Sequence, residues 1–220
     1  MIEDFYFRLK TSIRSNTLVY LFFSVFLLEF IWLAISPNSR EDWLLENVLV
    51  LVFFSLVLLN FKKYTFSTLS WCLILSFLFI HEIGAHYTYS EVPYDEFFNS
   101  AFGFKLNHFM GWERNHFDRL AHFAYGLLLV LPLQQICSQV SGSTSGWTYF
   151  VAVNLVMSTS LLYELIEWGA ASLFGGELGI AYLGTQGDVW DAHQDMLLSI
   201  IGALLALLIK SALIKFYQFR

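Results

Sequence analysis

Six long apolar stretches alternate with polar connections along the chain. They run about Thr17 to Ile35, Trp43 to Asn60, Phe66 to Ile83, Phe117 to Cys137, Trp147 to Ala170 and Ala192 to Phe216. Each approaches the ~20 apolar residues a helix needs to cross a hydrocarbon core. The runs are continuously apolar, whereas barrel strands alternate, so the pattern predicts helices. The expected fold is all-α: a polytopic membrane protein, with six transmembrane helices in one integral domain spanning residues 1–220. Between the third and fourth helices lies an outer loop of about 33 residues carrying Tyr87, Tyr89, Tyr94, Phe97, Phe98, Phe102, Phe104, Phe109 and Trp112. Rings interleaved with polar residues suit a segment in the headgroup region, as a lid or an anchor.

Composition agrees. Hydrophobic residues make up 57% and charged residues 14% of the chain, against about 45–50% and about 25% in soluble domains. Disorder requires low hydrophobicity and is excluded. Two cysteines, Cys72 and Cys137, cannot staple a secreted module, and no metal-binding cysteine spacing exists. A net charge of −6, with 12 basic residues spread along the chain, argues against nucleic acid as a partner. Arg8, Lys10 and Arg14 precede the first run, but that run is too long for a signal-peptide core and no cleavage site follows.

Six spans put both termini on one side. That side would carry Arg8, Lys10, Arg14, Lys62, Lys63, Lys210, Lys215 and Arg220, which is 8 of the 12 basic residues. The positive-inside rule then places both termini in the cytoplasm. All six histidines and 16 of the 18 acids fall on or near the opposite, outer face. That sharing of one face survives a flip of the topology.

Ionisable groups within spans are costly, roughly 2.5–3.5 kcal/mol each at a helix centre, and so point to function. The third helix ends in His81-Glu82-Ile83-Gly84-Ala85-His86, with Glu82 and His86 on one face if the helix continues past Gly84. The histidines are five apart, so this is not the zinc-protease pattern. The fourth begins Asp118-Arg119-Leu120-Ala121-His122. There Asp118 either caps the helix or joins His122 in metal or acid–base chemistry. The fifth carries Glu164 and Glu167, three apart on a shared face, the spacing of carboxylate metal bundles. The sixth is introduced by Asp188, Asp191 and Asp195, which align if the helix starts near Asp188. Aligned carboxylates in low dielectric need counter-charges, from a divalent cation, Arg114, Arg119 or histidines. Asp188 reads equally as a cap. Glu29 and Glu46 lie in the outer halves of the first two helices without an assignment.

Four stretches, Gly84 to Pro93, Arg114 to Phe123, Tyr163 to Trp168 and Gly184 to Asp191, together resemble the YjdF/DUF2238 family of bacterial inner-membrane proteins. Their order is also similar to that of the wider VanZ-like membrane proteins. The resemblance spans the third to sixth helices and implies membrane residence, without specifying a reaction. It supports His86, Asp118, His122, Glu164, Glu167, Asp188, Asp191 and Asp195 as one working set.

The expected site is an outward-facing carboxylate/His pocket binding Zn²⁺, Mg²⁺ or Mn²⁺. The expected activity is metal-dependent hydrolysis or group transfer on lipid or lipid-linked headgroups. His122, Glu164 and Asp118 would serve catalysis, and His86, Glu167, Asp188, Asp191 and Asp195 the metal. Arg114, Arg119 and His116 would hold an anionic headgroup. The alternatives are a non-catalytic lipid-binding protein and a cation or small-molecule transporter. A transporter needs a polar path inward, and the inner halves of the helices offer mainly Gln134 and Gln135.

Overall fold

A computed structural model describes residues 13–60, 63–176, 179 and 183–218, with side chains from residue 17 onward. Arg8, Lys10, Lys62 and Arg220, invoked for orientation, lie outside the described residues. The described elements are helices: α1 (Ile13–Leu33), α2 (Arg40–Asn60), α3 (Thr68–His86), α4 (Tyr94–Phe102), α5 (Leu106–Met110), α6 (Phe117–Ser141), α7 (Gly146–Phe174) and α8 (Asp191–Gln218).

Among the described residues, α2, α3, α6, α7 and α8 are long and apolar enough to cross a membrane. The first expected span is α1, whose described apolar stretch, Thr17–Leu33, is shorter than the other five. Three starts or ends differ from expectation and matter for the site. Helix α2 begins at Arg40, which puts Asp42 in its first turn. Helix α3 continues through Gly84 to His86. Helix α8 begins at Asp191, so Asp188 precedes the helix. The aromatic connection folds into α4 and α5, whose rings Phe98, Phe102, Phe104 and Phe109 pack in sequence against one another.

The helices form two three-helix groups. Phe26, Val50, Ile74, Leu75 and Leu78 build a core among α1, α2 and α3. Val130, Ala152, Val156, Ala203 and Ala206 build another among α6, α7 and α8. Contacts between α3 and α6 join the two. At the end away from the acids, Gln135 accepts from Ser67 N and Ser70 Oγ, and Gln139 from Thr65 N. Gln134 donates to Ser138 and Thr148. These amides are spent holding helix ends together. The outward helix faces carry exposed Leu and Ile, such as Leu51, Leu58, Leu204 and Leu208. Lipid tails cover such a surface without penalty.

Helices α6 and α8 run parallel and pack more extensively than any other pair. A Cβ on Gly126 would land on the Ser199 carbonyl, and one on Gly202 on the Phe123 carbonyl. Only glycine permits this approach, the small-residue contact that close helix pairs in lipid use. The seam sets Asp118 beside Asp195 and His122 beside Ser199.

A second close approach shapes the outer end of α3. Tyr89 N donates to Gly84 O, and the Tyr89 ring lies where a Gly84 Cβ would be. Tyr89 Oη meets His81 Nδ1 at 2.6 Å, which fixes the ring. Gly84→Ala is therefore expected to cost about 1–3 kcal/mol through overpacking. Thermal unfolding of the detergent-solubilised protein checks this; an unchanged midpoint would mean the ring yields freely.

Candidate metal centre

The acids gather where the outer ends of the helices meet. Asp118 and His122 come from the first turns of α6, Glu164 and Glu167 from the last third of α7, and Asp195 from the second turn of α8. One ligand atom from each of Asp118, His122 and Asp195 lies within 4.8 Å of the other two, and all three residues are buried. His122 Nε2 stands 3.6 Å from Asp118 Oδ1 and 3.4 Å from Glu164 Oε1. Ligands about 2.1 Å from a tetrahedral ion sit about 3.4 Å apart. The spacing is thus that of ligands around an ion. Among the described residues, Glu164 Oε1 and Asp195 Oδ1 are buried without a hydrogen-bond partner, and an orphaned buried oxygen is costly unless something further satisfies it. The donor set fits a divalent cation on these observations.

The far side of the imidazole is arranged to match. Ser160 Oγ donates to Ser199 Oγ at 3.1 Å, and Ser199 Oγ donates to the His122 carbonyl at 3.1 Å. With its proton committed, Ser199 Oγ can only accept from His122 Nδ1, 3.5 Å away. That places the ring proton on Nδ1 and the free lone pair on Nε2, toward the carboxylates. Such partners orient histidine ligands.

Charge balance distinguishes two layers. In the outer one, Arg114 Nη1 pairs with Asp191 at 2.7 Å, and Arg119 Nη2 with Asp188 at 2.5 Å and Asp191 at 3.5 Å. Asp188 also caps the turn into α8 by accepting from Trp190 N. That bond, with the hydrogen bond and charge of Arg119 and the charge of Arg114, holds the Asp188 carboxyl below its usual range, so it is ionised at neutral pH. Asp191 and Asp188 therefore have arginine partners without a metal. His116 stacks on Trp112 at 4.3 Å, with Nδ1 3.4 Å from Arg119 Nη1. Burial, followed by the charges of Arg119 and Arg114, lowers its pKa, so its ring is neutral. The clasp is tied down by Arg114 Nη1 on Thr185 O and by Asn115 exchanging hydrogen bonds with Gln186.

The inner layer has no such balance. Among the described residues, Asp118 and Glu164 have only His122 within ion-pair distance, and Glu167 and Asp195 have no base there. Glu164 and Glu167 lie within hydrogen-bonding reach of each other. A cleft of about 280 Å³ opens onto this layer. Carboxylates of Asp118, Glu164, Glu167, Asp191 and Asp195 line one part, and Leu161, Leu165, Trp168, Leu183 and Met196 the other. Leu161, Leu165 and Trp168 are exposed on the lipid side of α7.

The structure does not bring His86 into the cluster. Its Nδ1 meets the Leu33 carbonyl at 2.7 Å and its backbone carbonyl accepts from Asn38 N, so it fastens the outer end of α3 to the end of α1. Conversely, the fold adds acids the sequence reading left aside. Asp42 and Glu46 of α2 are each 2% exposed. Tyr163 Oη, whose ring packs edgewise on His122, reaches both Glu46 oxygens at 2.9 and 3.1 Å. Asp42, Glu46, Asp118 and Glu167 wall a small cavity of about 10 Å³ together with Thr88 and Tyr89. Near it lie Glu82, with Asn47 and Trp43 beside its carboxyl, and Glu29, whose oxygens have no hydrogen-bond partner among the described residues. Acids inside apolar runs were the available signal, though spacing within one helix could not reveal partners on another.

Comparison with known proteins agrees with this membrane architecture. The family model described as predicted membrane protein DUF2238 matches residues 18–215. The chain is 33% identical over 177 residues to the inner membrane protein YjdF of Escherichia coli (strain K12), covering 79% of each protein. No solved structure matches the chain.

Proposed function

The chain belongs to the DUF2238 family of membrane proteins, and on that premise we propose that it is a metal-dependent enzyme acting on lipid or lipid-linked headgroups at the outer face of a bacterial inner membrane. The carrying observation is the buried Asp118–His122–Asp195 triad, whose ligand atoms lie within 4.8 Å of one another, together with the unpartnered oxygens of Asp195 and neighbouring Glu164. Six spans with both termini cytoplasmic complete this reading, α1 being the first. The inner-membrane assignment follows the name of the YjdF relative.

Roles redistribute from the sequence expectation. Asp118, His122 and Asp195 would hold the cation, which when bound polarises a substrate oxygen and acidifies a water. Glu164 and Glu167, within hydrogen-bonding reach of each other, would pass a proton to or from the reacting group. Arg114 Nη2 and Arg119 Nε are buried without hydrogen-bond partners, so each arginine keeps a donor for an anionic headgroup despite its carboxylate partners. The cleft's mixed lining favours an amphiphile: Leu161, Leu165 and Trp168 suit a chain arriving sideways from lipid, and the acids suit a metal-associated polar end.

The test is release of water-soluble label from vesicles of bacterial polar lipids carrying radiolabelled headgroups, with the full chain reconstituted. Release should require added Mn²⁺ or Zn²⁺ and fall about 10²–10⁴-fold in Glu164→Gln. Metal binding without release in any lipid pool would leave a binding protein and reject the enzyme.

A further inference from the structure

We propose that the small cavity between α2, α6 and α7 is a second cation position, suited to an oxygen-seeking divalent ion such as Mg²⁺ or Mn²⁺. It would share Asp118 and Glu167 with the first position. This extends the centre proposed above from one cation to two and depends on that reading through the shared carboxylates.

The donors are on the page. Asp42, Glu46, Asp118 and Glu167 converge from three helices on a space of about 10 Å³, room for roughly one water or ion. Asp42 lines that space, and its buried Oδ1 has no hydrogen-bond partner among the described residues. Tyr163 Oη serves Glu46, but one hydroxyl proton can satisfy only one carboxylate oxygen at a time. Among the described residues no lysine, arginine or histidine lines the cavity. The two arginines of the outer face are engaged with Asp188 and Asp191.

Four buried carboxylates, with the single imidazole of His122 beside Asp118, must be neutralised largely by protons or by a cation. The all-oxygen donor set selects hard ions, whereas the neighbouring triad with its imidazole nitrogen also accommodates zinc. Asp118 and Glu167 line both this cavity and the larger cleft. Bridging carboxylates between two ions are the arrangement that clamps both attacking and leaving oxygens in two-metal hydrolysis and transfer. The substrate class narrows accordingly to a headgroup whose oxyanion can span two cations, such as a phosphate ester.

The test is Mn²⁺ binding by the full-length protein in detergent, followed by equilibrium dialysis and electron paramagnetic resonance. Wild type should take up two equivalents and show a spin-coupled spectrum at saturation. Asp42→Asn and Glu46→Gln should each leave one equivalent and an uncoupled six-line spectrum. Asp195→Asn should remove the other. One equivalent in wild type, unchanged by Asp42→Asn and lost in Asp195→Asn, would overturn the second position and leave the first standing, the cavity then holding water and protons. Two equivalents that survive both Asp42→Asn and Glu46→Gln would place the second ion elsewhere and equally overturn it. No uptake at all would reject both. Should either α2 variant fail to fold, the wild-type spectrum decides alone: two ions sharing carboxylates cannot give isolated six-line signals.

Discussion

Asp195→Asn is expected to abolish tight cation binding at the Asp118–His122–Asp195 position while leaving the metal-free protein as stable as wild type, or more so. Asp195 is 1% exposed, with one oxygen lacking any partner. Removing one of three protein ligands should weaken affinity by more than the ~10–100-fold seen when only a ligand's supporting partner is lost. Its carboxylate faces those of Asp118, Glu164 and Asp191. In the metal-free protein the amide therefore relieves like-charge repulsion in a low-dielectric pocket. With metal, wild type gains the binding free energy of that position, about 2.7 kcal/mol at a ligand concentration 100 times Kd, and the variant does not. Thermal unfolding of both proteins, with and without Mn²⁺ or Zn²⁺, reads out all four states. A polar cluster that merely locks helix ends predicts the opposite pattern: Asp195→Asn destabilised to the same degree in every buffer, and no metal effect on wild type. That pattern would remove the basis of the proposed function.

What the sequence made legible divides along physical lines. Asp118 with His122, and Glu164 with Glu167, were readable because helical spacing alone sets which side chains share a face. Asp195 was readable because a carboxylate one turn inside a span is too costly to be incidental. His86 was misplaced within the working set: its partner, the Leu33 carbonyl, comes from a distant helix end, and no local rule reports that. Asp188 divided between capping and ligation, and Asp191 stood with the ligands, until the fold brought Arg114 from the other outer loop and Arg119 from the first turn of α6 against them. Asp42 and Glu46 entered the picture only with Tyr163 and Glu167 from α7 beside them. Helix existence followed from hydropathy, but the parallel α6–α8 seam depends on two glycines whose partners are backbone atoms 70 or more residues away, which no periodicity encodes.

That seam carries the second large effect. Gly202→Leu is expected to abolish metal binding and sharply reduce the yield of folded protein, although residue 202 touches none of the ligands. The new Cβ would meet the Phe123 carbonyl and the Leu127 amide, which are backbone atoms and cannot rotate away. The helices must then separate or slide. Overpacking of this kind costs about 1–3 kcal/mol even for small additions, and the seam is the most extensive contact in the bundle. Separation also moves His122 on α6 away from Asp195 on α8. Misplacement of reacting or ligating groups by about 1 Å can cost 10²-fold. Gly169→Ala supplies the control, because nothing lies within 4 Å of a Cβ there. In the interior of α7, alanine should leave metal binding intact and stabilise the helix, by up to about 1 kcal/mol on propensity scales. Dialysis against Mn²⁺ and thermal unfolding of both variants separate the cases. If Gly202→Leu bound metal like wild type, close approach of α6 and α8 would not be what assembles the centre.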